Sequence, residues 1–245
     1  MALPRGRPHE ACPTWCAARL ALPADTKLDI LGAQYAEGWV EKPATYTGKL
    51  LDEDAYLGGL YATTKAADPA FDVVDAYLLY DARIESPEAG KDYGSQLRRG
   101  LLTAGLRLHG KWDPVDAEVE GAFQTGSGCV PDAAGACTTD DVDQAGFFAD
   151  AEVGFTLGRL RLYVGFGQAT GDDPDTKKNE AYNHLYPTAH KFLGYMDIIG
   201  PRSNVRELRG GAGYSYSDKR GTFNLDVHDF TRLQPTEERV GLEVD

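Results

Sequence analysis

FFADAEVGFTLGRLRLYVGF, residues 147–166, is the stretch that decides the fold. On either side of Gly158 and Arg159 the residue types alternate. Phe147, Ala151, Val153, Phe155 and Leu157 share one face and oppose Asp150, Glu152 and Thr156; after the break, Leu160, Leu162, Val164 and Phe166 oppose Arg161, Tyr163 and Gln168. A period of two is the pattern of a strand with two unlike faces, and a two-residue break containing glycine reads as a hairpin turn. Each arm has about ten residues, the length at which a tilted strand crosses a bilayer.

The same pattern recurs along the chain. Strand-like segments are expected at 15–22, 27–37, 55–65, 72–83, 97–109, 115–125, 145–157, 160–171, 205–216, 222–232 and 239–245. In 115–125, Ala117, Val119, Gly121 and Phe123 oppose Asp116, Glu118, Glu120 and Gln124. The segment 27–37 reverses near Leu31, which predicts a bulge there. Joins alternate in length: Pro23–Asp25, Ala66–Ala70, Gly110–Pro114, Gly158–Arg159 and Ser217–Gly221 are short, whereas Gly38–Asp54, Ile84–Gln96, Gly126–Gln144 and Asp172–Asn204 are long, with a last join around Gln234–Glu238. Tight turns on one rim and long loops on the other mark an up-and-down barrel of a bacterial outer membrane.

Alternation by itself leaves open which face is inside, because a soluble sandwich with a dry core gives the same string. The rhythm of the joins favours the barrel. So do the aromatics Tyr80, Phe147, Tyr216 and Phe223 near the ends of the apolar faces, where interfacial girdles belong, and a polar face that mixes acids with arginines as a watery lumen would. The fold class expected is all-β, an antiparallel up-and-down transmembrane β-barrel. About eleven strands are found where bacterial single-chain barrels have an even count, so the sequence reads as part of a larger barrel: 1–14 an unstructured N-terminal segment, 15–245 a partial barrel.

Composition agrees with strands. In 245 residues there are 28 Gly, 13 Tyr and 9 Phe but 2 Met, and aromatic residues and glycine suit pleated faces and turns. No run of about 18 apolar residues exists, so a membrane-spanning helix is excluded; the mean hydropathy of −0.40 does not weigh against a barrel, whose lipid-facing residues come only every second position. A net charge of −13 with scattered basic residues argues against nucleic acid as a partner. The N-terminus has positive charge but no apolar stretch behind it, so it is not a signal peptide.

Within the longest join lie Ala169-Thr-Gly-Asp-Asp-Pro174 and Asn183-His-Leu-Tyr-Pro-Thr-Ala-His-Lys-Phe-Leu-Gly-Tyr-Met-Asp197. Over roughly residues 165–200 this resembles the alginate export family of outer-membrane barrels, whose members carry a similar Asn-x-Leu-Phe/Tyr-Pro-Thr-x-His-Lys-Phe-x-Gly-x-Met-Asp stretch. The resemblance implies a porin-like channel in the outer membrane of a Gram-negative bacterium, which in the type member passes an anionic polysaccharide through an arginine-rich constriction. Its motif residues here are Asn183, Tyr186, Pro187, His190, Lys191, Phe192, Gly194 and Asp197.

The pore-lining residues expected from the polar faces are Arg107, Arg161, Glu118, Glu120, Asp150, Glu152 and Asp226. Acidic rings favour cations and arginine rings favour anions, and this face leans acidic. Cys129 and Cys137, inside one polar loop, suit a disulfide of an oxidising compartment, with two free thiols as the alternative. Neither this pair nor Cys12 with Cys16 has a partner pair or His at zinc-ligand spacing, and no cofactor is required. Asp172, Asp173 and Asp175, or Asp140, Asp141 and Asp143, are either calcium ligands or solvated loop tips. The partners expected are outer-membrane lipid and lipopolysaccharide, the latter through phosphate contacts of Arg98 and Arg99, and a small or polymeric polar solute. A barrel enzyme would need a Ser beside His184 or His190; the motif loop presents no nucleophile with a base and an orienting group, and reads as structure over the barrel mouth.

Overall fold

The computed structural model describes residues 14–37, 52–65, 71–86, 96–131, 137–185, 203–216, 221–234 and 239–244. Eleven strands form one sheet in chain order, β1 (Thr14–Leu22), β2 (Thr26–Glu37), β3 (Asp52–Thr64), β4 (Val73–Ser86), β5 (Gln96–Trp112), β6 (Val115–Pro131), β7 (Cys137–Leu157), β8 (Leu160–Ala169), β9 (Val205–Tyr216), β10 (Gly221–Arg232) and β11 (Arg239–Val244). Every neighbouring pair is antiparallel. A single meander is what short joins between sequential strands produce, and among the described residues there is no second sheet for a sandwich. Among the described residues no ladder joins β1 to β11, so the sheet is open.

The distribution of exposure identifies the faces. Val164 is 67 % exposed, Phe223 65 %, Leu208 58 % and Leu157 57 %, whereas Gln124 and Glu207 are 1 % exposed and Asp75 3 %. A soluble protein arranges these types the other way round, since exposed apolar area is unfavourable by roughly 25 cal/mol per Å². An apolar outer face is stable where its solvent is lipid. The small buried cluster of Ala122, Phe148, Ala169, Tyr182, Val205 and Phe230 lies on the concave side, and among the described residues the other side of the wall carries no such cluster.

Several boundaries differ from those read in the sequence. β6 has 17 residues and β7 has 21, so most of the expected loop 126–144 is a continuing hairpin whose ladder runs from Val115↔Phe155 to Pro131↔Cys137. Its residues are polar and small, which hides them from a hydropathy pattern, yet facing backbones go on exchanging hydrogen bonds beyond the apolar band. About ten residues suffice to cross the bilayer, so this hairpin projects past it. β4 and β5 likewise extend to Ser86 and back to Gln96, β5 runs on to Trp112 and narrows the expected join 110–114 to Asp113 and Pro114, and β8 ends at Ala169 rather than at 171. The bulge in β2 falls between Gln34 and Ala36, not at Leu31, which keeps regular register opposite Gly59.

At the rim of tight joins, Gly158 takes φ +60°, a left-handed conformation that glycine enters without steric penalty. Trp112, Phe155, Tyr214, Tyr216 and Phe223 are exposed towards this rim, and Tyr80, Phe123 and Phe147 close the apolar band at the other.

Candidate functional site

All seven residues expected to line a pore lie on the concave face, because each strand keeps strict alternation through this region. They are not separate charges. Arg107 donates from Nη1 to Asp75 Oδ2 (2.9 Å) and from Nη2 to Glu118 Oε2 (2.6 Å). Arg161 donates from Nε to Asp116 Oδ2 (3.1 Å) and from Nη2 to Glu152 Oε1 (2.9 Å). Arg209 binds Asp150 through two 2.9 Å bonds, Glu152 at 3.2 Å and Glu207 at 3.2 Å, and Glu207 Oε1 lies 2.7 Å from His228 Nδ1. Tyr77 donates to Glu120 Oε1 at 2.8 Å and Tyr163 to Asp226. Desolvated charges persist only when paired and hydrogen-bonded in this way.

A geometrical rule organises this belt. Four of its long side chains cross one strand over a glycine to reach a carboxylate two strands away, whereas Arg107 bonds to acids on the two strands beside its own. Tyr77 on β4 lies over Gly105 on β5 and reaches Glu120 on β6; Arg209 on β9 lies over Gly165 on β8 and reaches Asp150 and Glu152 on β7. Arg161 crosses Gly154 to Asp116, and Tyr163 crosses Gly211 to Asp226. A Cβ on Gly165 would stand 2.6 Å from Arg209 Nε, closer than atoms can approach, so any other residue there would lift the guanidinium off the wall.

The chain after β8 turns inward. Tyr182 donates its N–H to the Thr170 carbonyl (3.0 Å), and its ring stacks on Phe148 with centroids 5.5 Å apart. Asn179 exchanges backbone bonds with Asp143 and Ala145 (2.9 and 3.0 Å). Gln124 then clamps the segment: its Nε2 donates to the Asn183 carbonyl (2.6 Å) and to Thr103 Oγ1 (3.0 Å), while its Oε1 accepts from the Asn183 N–H (2.7 Å). Beneath lies a recess of about 370 Å³ between this segment and the wall.

Of the motif residues, Asn183 is held in this clamp, while Tyr186, Pro187, His190, Lys191, Phe192, Gly194 and Asp197 lie outside the described residues. The side chains of Cys129, Cys137, Asp140, Asp141 and Arg98 also lie outside them; in the backbone register Cys129 faces Asp141 and Cys137 faces Pro131. Asp172 and Asp173 accept backbone bonds from Glu180 (3.2 Å) and Asp175 (3.0 Å), so these carboxylates cap a turn. Among the described residues no group of His, Cys, Asp and Glu has the arrangement of a metal site. The His184 ring lies 6.3 Å from that of Tyr182. Near the tight-turn rim His109 Nδ1 lies 2.6 Å from Asp72 Oδ1, a bond that holds the Asp72 carboxyl below its usual range.

The sequence pattern does not mark Arg209, Asp75, Glu207 and Tyr77 as members of this polar belt, nor Gln124 as a clamp. The available signal was glycine on the polar face of a strand beside a neighbour bearing a long donor.

The family model described as alginate export matches residues 25–241. No curated protein matches the chain.

Proposed function

The chain belongs to the alginate export family, and from that membership we propose that its strands build the wall of an outer-membrane channel through which a polysaccharide or related polar solute moves down its gradient. The observation that carries this reading is the inversion of the faces: apolar side chains such as Val164 and Phe223 stand exposed outside while Asp75, Asp150 and Glu207 are buried on the concave side. Members of the family are outer-membrane proteins of Gram-negative bacteria, and this location is proposed for the chain, with lipid and lipopolysaccharide around it. In this orientation Gly158 sits at the periplasmic rim, and the β6–β7 hairpin and the segment after β8 face outward. Passage needs no chemistry from the protein. The lumen supplies a path lined with hydrogen-bonding groups, and the segment clamped by Gln124 narrows it.

Planar bilayers provide the test. The full chain, purified in detergent and inserted into a bilayer, is expected to give discrete steps of ionic current; a folded preparation that inserts and passes no current overturns the proposal.

A further inference from the structure

The recess under the inward-folded segment has a lining unlike the rest of the belt. Its volume of about 370 Å³ falls in the range that holds small ligands. On one side Tyr61 and Tyr77 present parallel rings, 1° apart in plane with centroids separated by 5.9 Å, and Phe148 and Tyr182 supply a second aromatic pair. Glu118, Glu120 and Arg107 also line it. This is the chemistry of a pyranose site: the C–H face of the ring rests on an aromatic surface, and its hydroxyls donate to carboxylate oxygens.

Charge narrows the choice of sugar. Arg107 is already held by Asp75 and Glu118, so it offers a new anion little. Glu120, which lines the recess, accepts the Tyr77 hydroxyl through Oε1, and its Oε2 takes no hydrogen bond among the described residues, so it keeps capacity to accept one. A neutral sugar supplies hydroxyl donors for it. A uronate brings a carboxylate against two others, and like charges at close range are repelled most strongly where water is excluded. Resting on the channel reading above, we infer that this recess is a saccharide subsite that prefers neutral sugar units to uronates, with Tyr77 as its platform, Glu120 as its hydroxyl acceptor and the segment fastened by Gln124 as its roof.

Calorimetry on the full chain in detergent micelles tests the subsite without requiring conduction. Maltohexaose is expected to bind saturably, and at least about tenfold more tightly than an oligouronate of equal length. Tyr77→Leu, which keeps apolar volume and removes the ring face, should weaken maltohexaose about fivefold or more. Glu120→Gln keeps the shape and deletes the charge, and should narrow the preference over oligouronate by about tenfold; it serves where the Tyr77 variant does not fold. Equal or tighter oligouronate binding, or a preference unmoved by Glu120→Gln, overturns the inference. Current without maltohexaose binding removes the subsite and leaves the channel, whereas binding without current does the reverse.

Discussion

At the scale of single residues, the glycines of the concave face act through what they lack. Gly165→Ala puts a methyl against Arg209, whose side chain is 9 % exposed, and pushes it from Asp150 and Glu207. Stripping a buried carboxylate of its cation costs about 3 kcal/mol, and urea unfolding in micelles should show a loss of that size. Gly210→Ala, on the outward face, meets its nearest atom at 3.5 Å and should stay within about 1 kcal/mol of the parent. Gln124→Ala removes three hydrogen bonds worth about 1 kcal/mol each. Its expected effect is on the path more than on the wall: larger single-channel currents and faster proteolysis near Asn183 in intact vesicles. An unchanged current would separate the clamp from the constriction. The parity of strand residues made the polar face that carries Arg107, Arg161 and Glu152 legible in the sequence. Arg209 was not, because the Gly210-Gly211 pair beside it blurs the alternation; Gln124 was legible on the polar face but not as a clamp, because its partner is 59 positions away.

At the scale of strands, the apolar band of β8 offers a direct test of what surrounds it. Val164 stands in the middle of that band, 67 % exposed. Val164→Arg should destabilise the protein by about 2–4 kcal/mol when unfolding is measured from lipid vesicles, whereas on a water-facing strand the same change falls within about 0.5 kcal/mol. A small loss in vesicles would mean that this face does not meet hydrocarbon. Strand existence and order were readable because lipid-facing positions demand apolar residues at every second place. Strand length was not. Past Phe123 and Phe147 no solvent imposes a hydropathy on the β6–β7 hairpin, and the ladder there is continued by backbone groups that carry no sequence signature.

At the scale of the whole sheet, one curved wall separates two environments, and the two faces answer to different rules. The outer face needs only to be apolar. The inner face needs particular pairs at particular separations, as between Arg209 and Asp150, and hydropathy is blind to them. The glycines set those separations. Exchanging Gly105 or Gly154 for alanine would leave strand order, turn positions and family likeness intact while redirecting which donor meets which acid. Two channels of this kind could therefore look alike in every pattern used to recognise them and still admit different cargo, so that in such a lineage a change of diet would be recorded in the smallest residues of the wall.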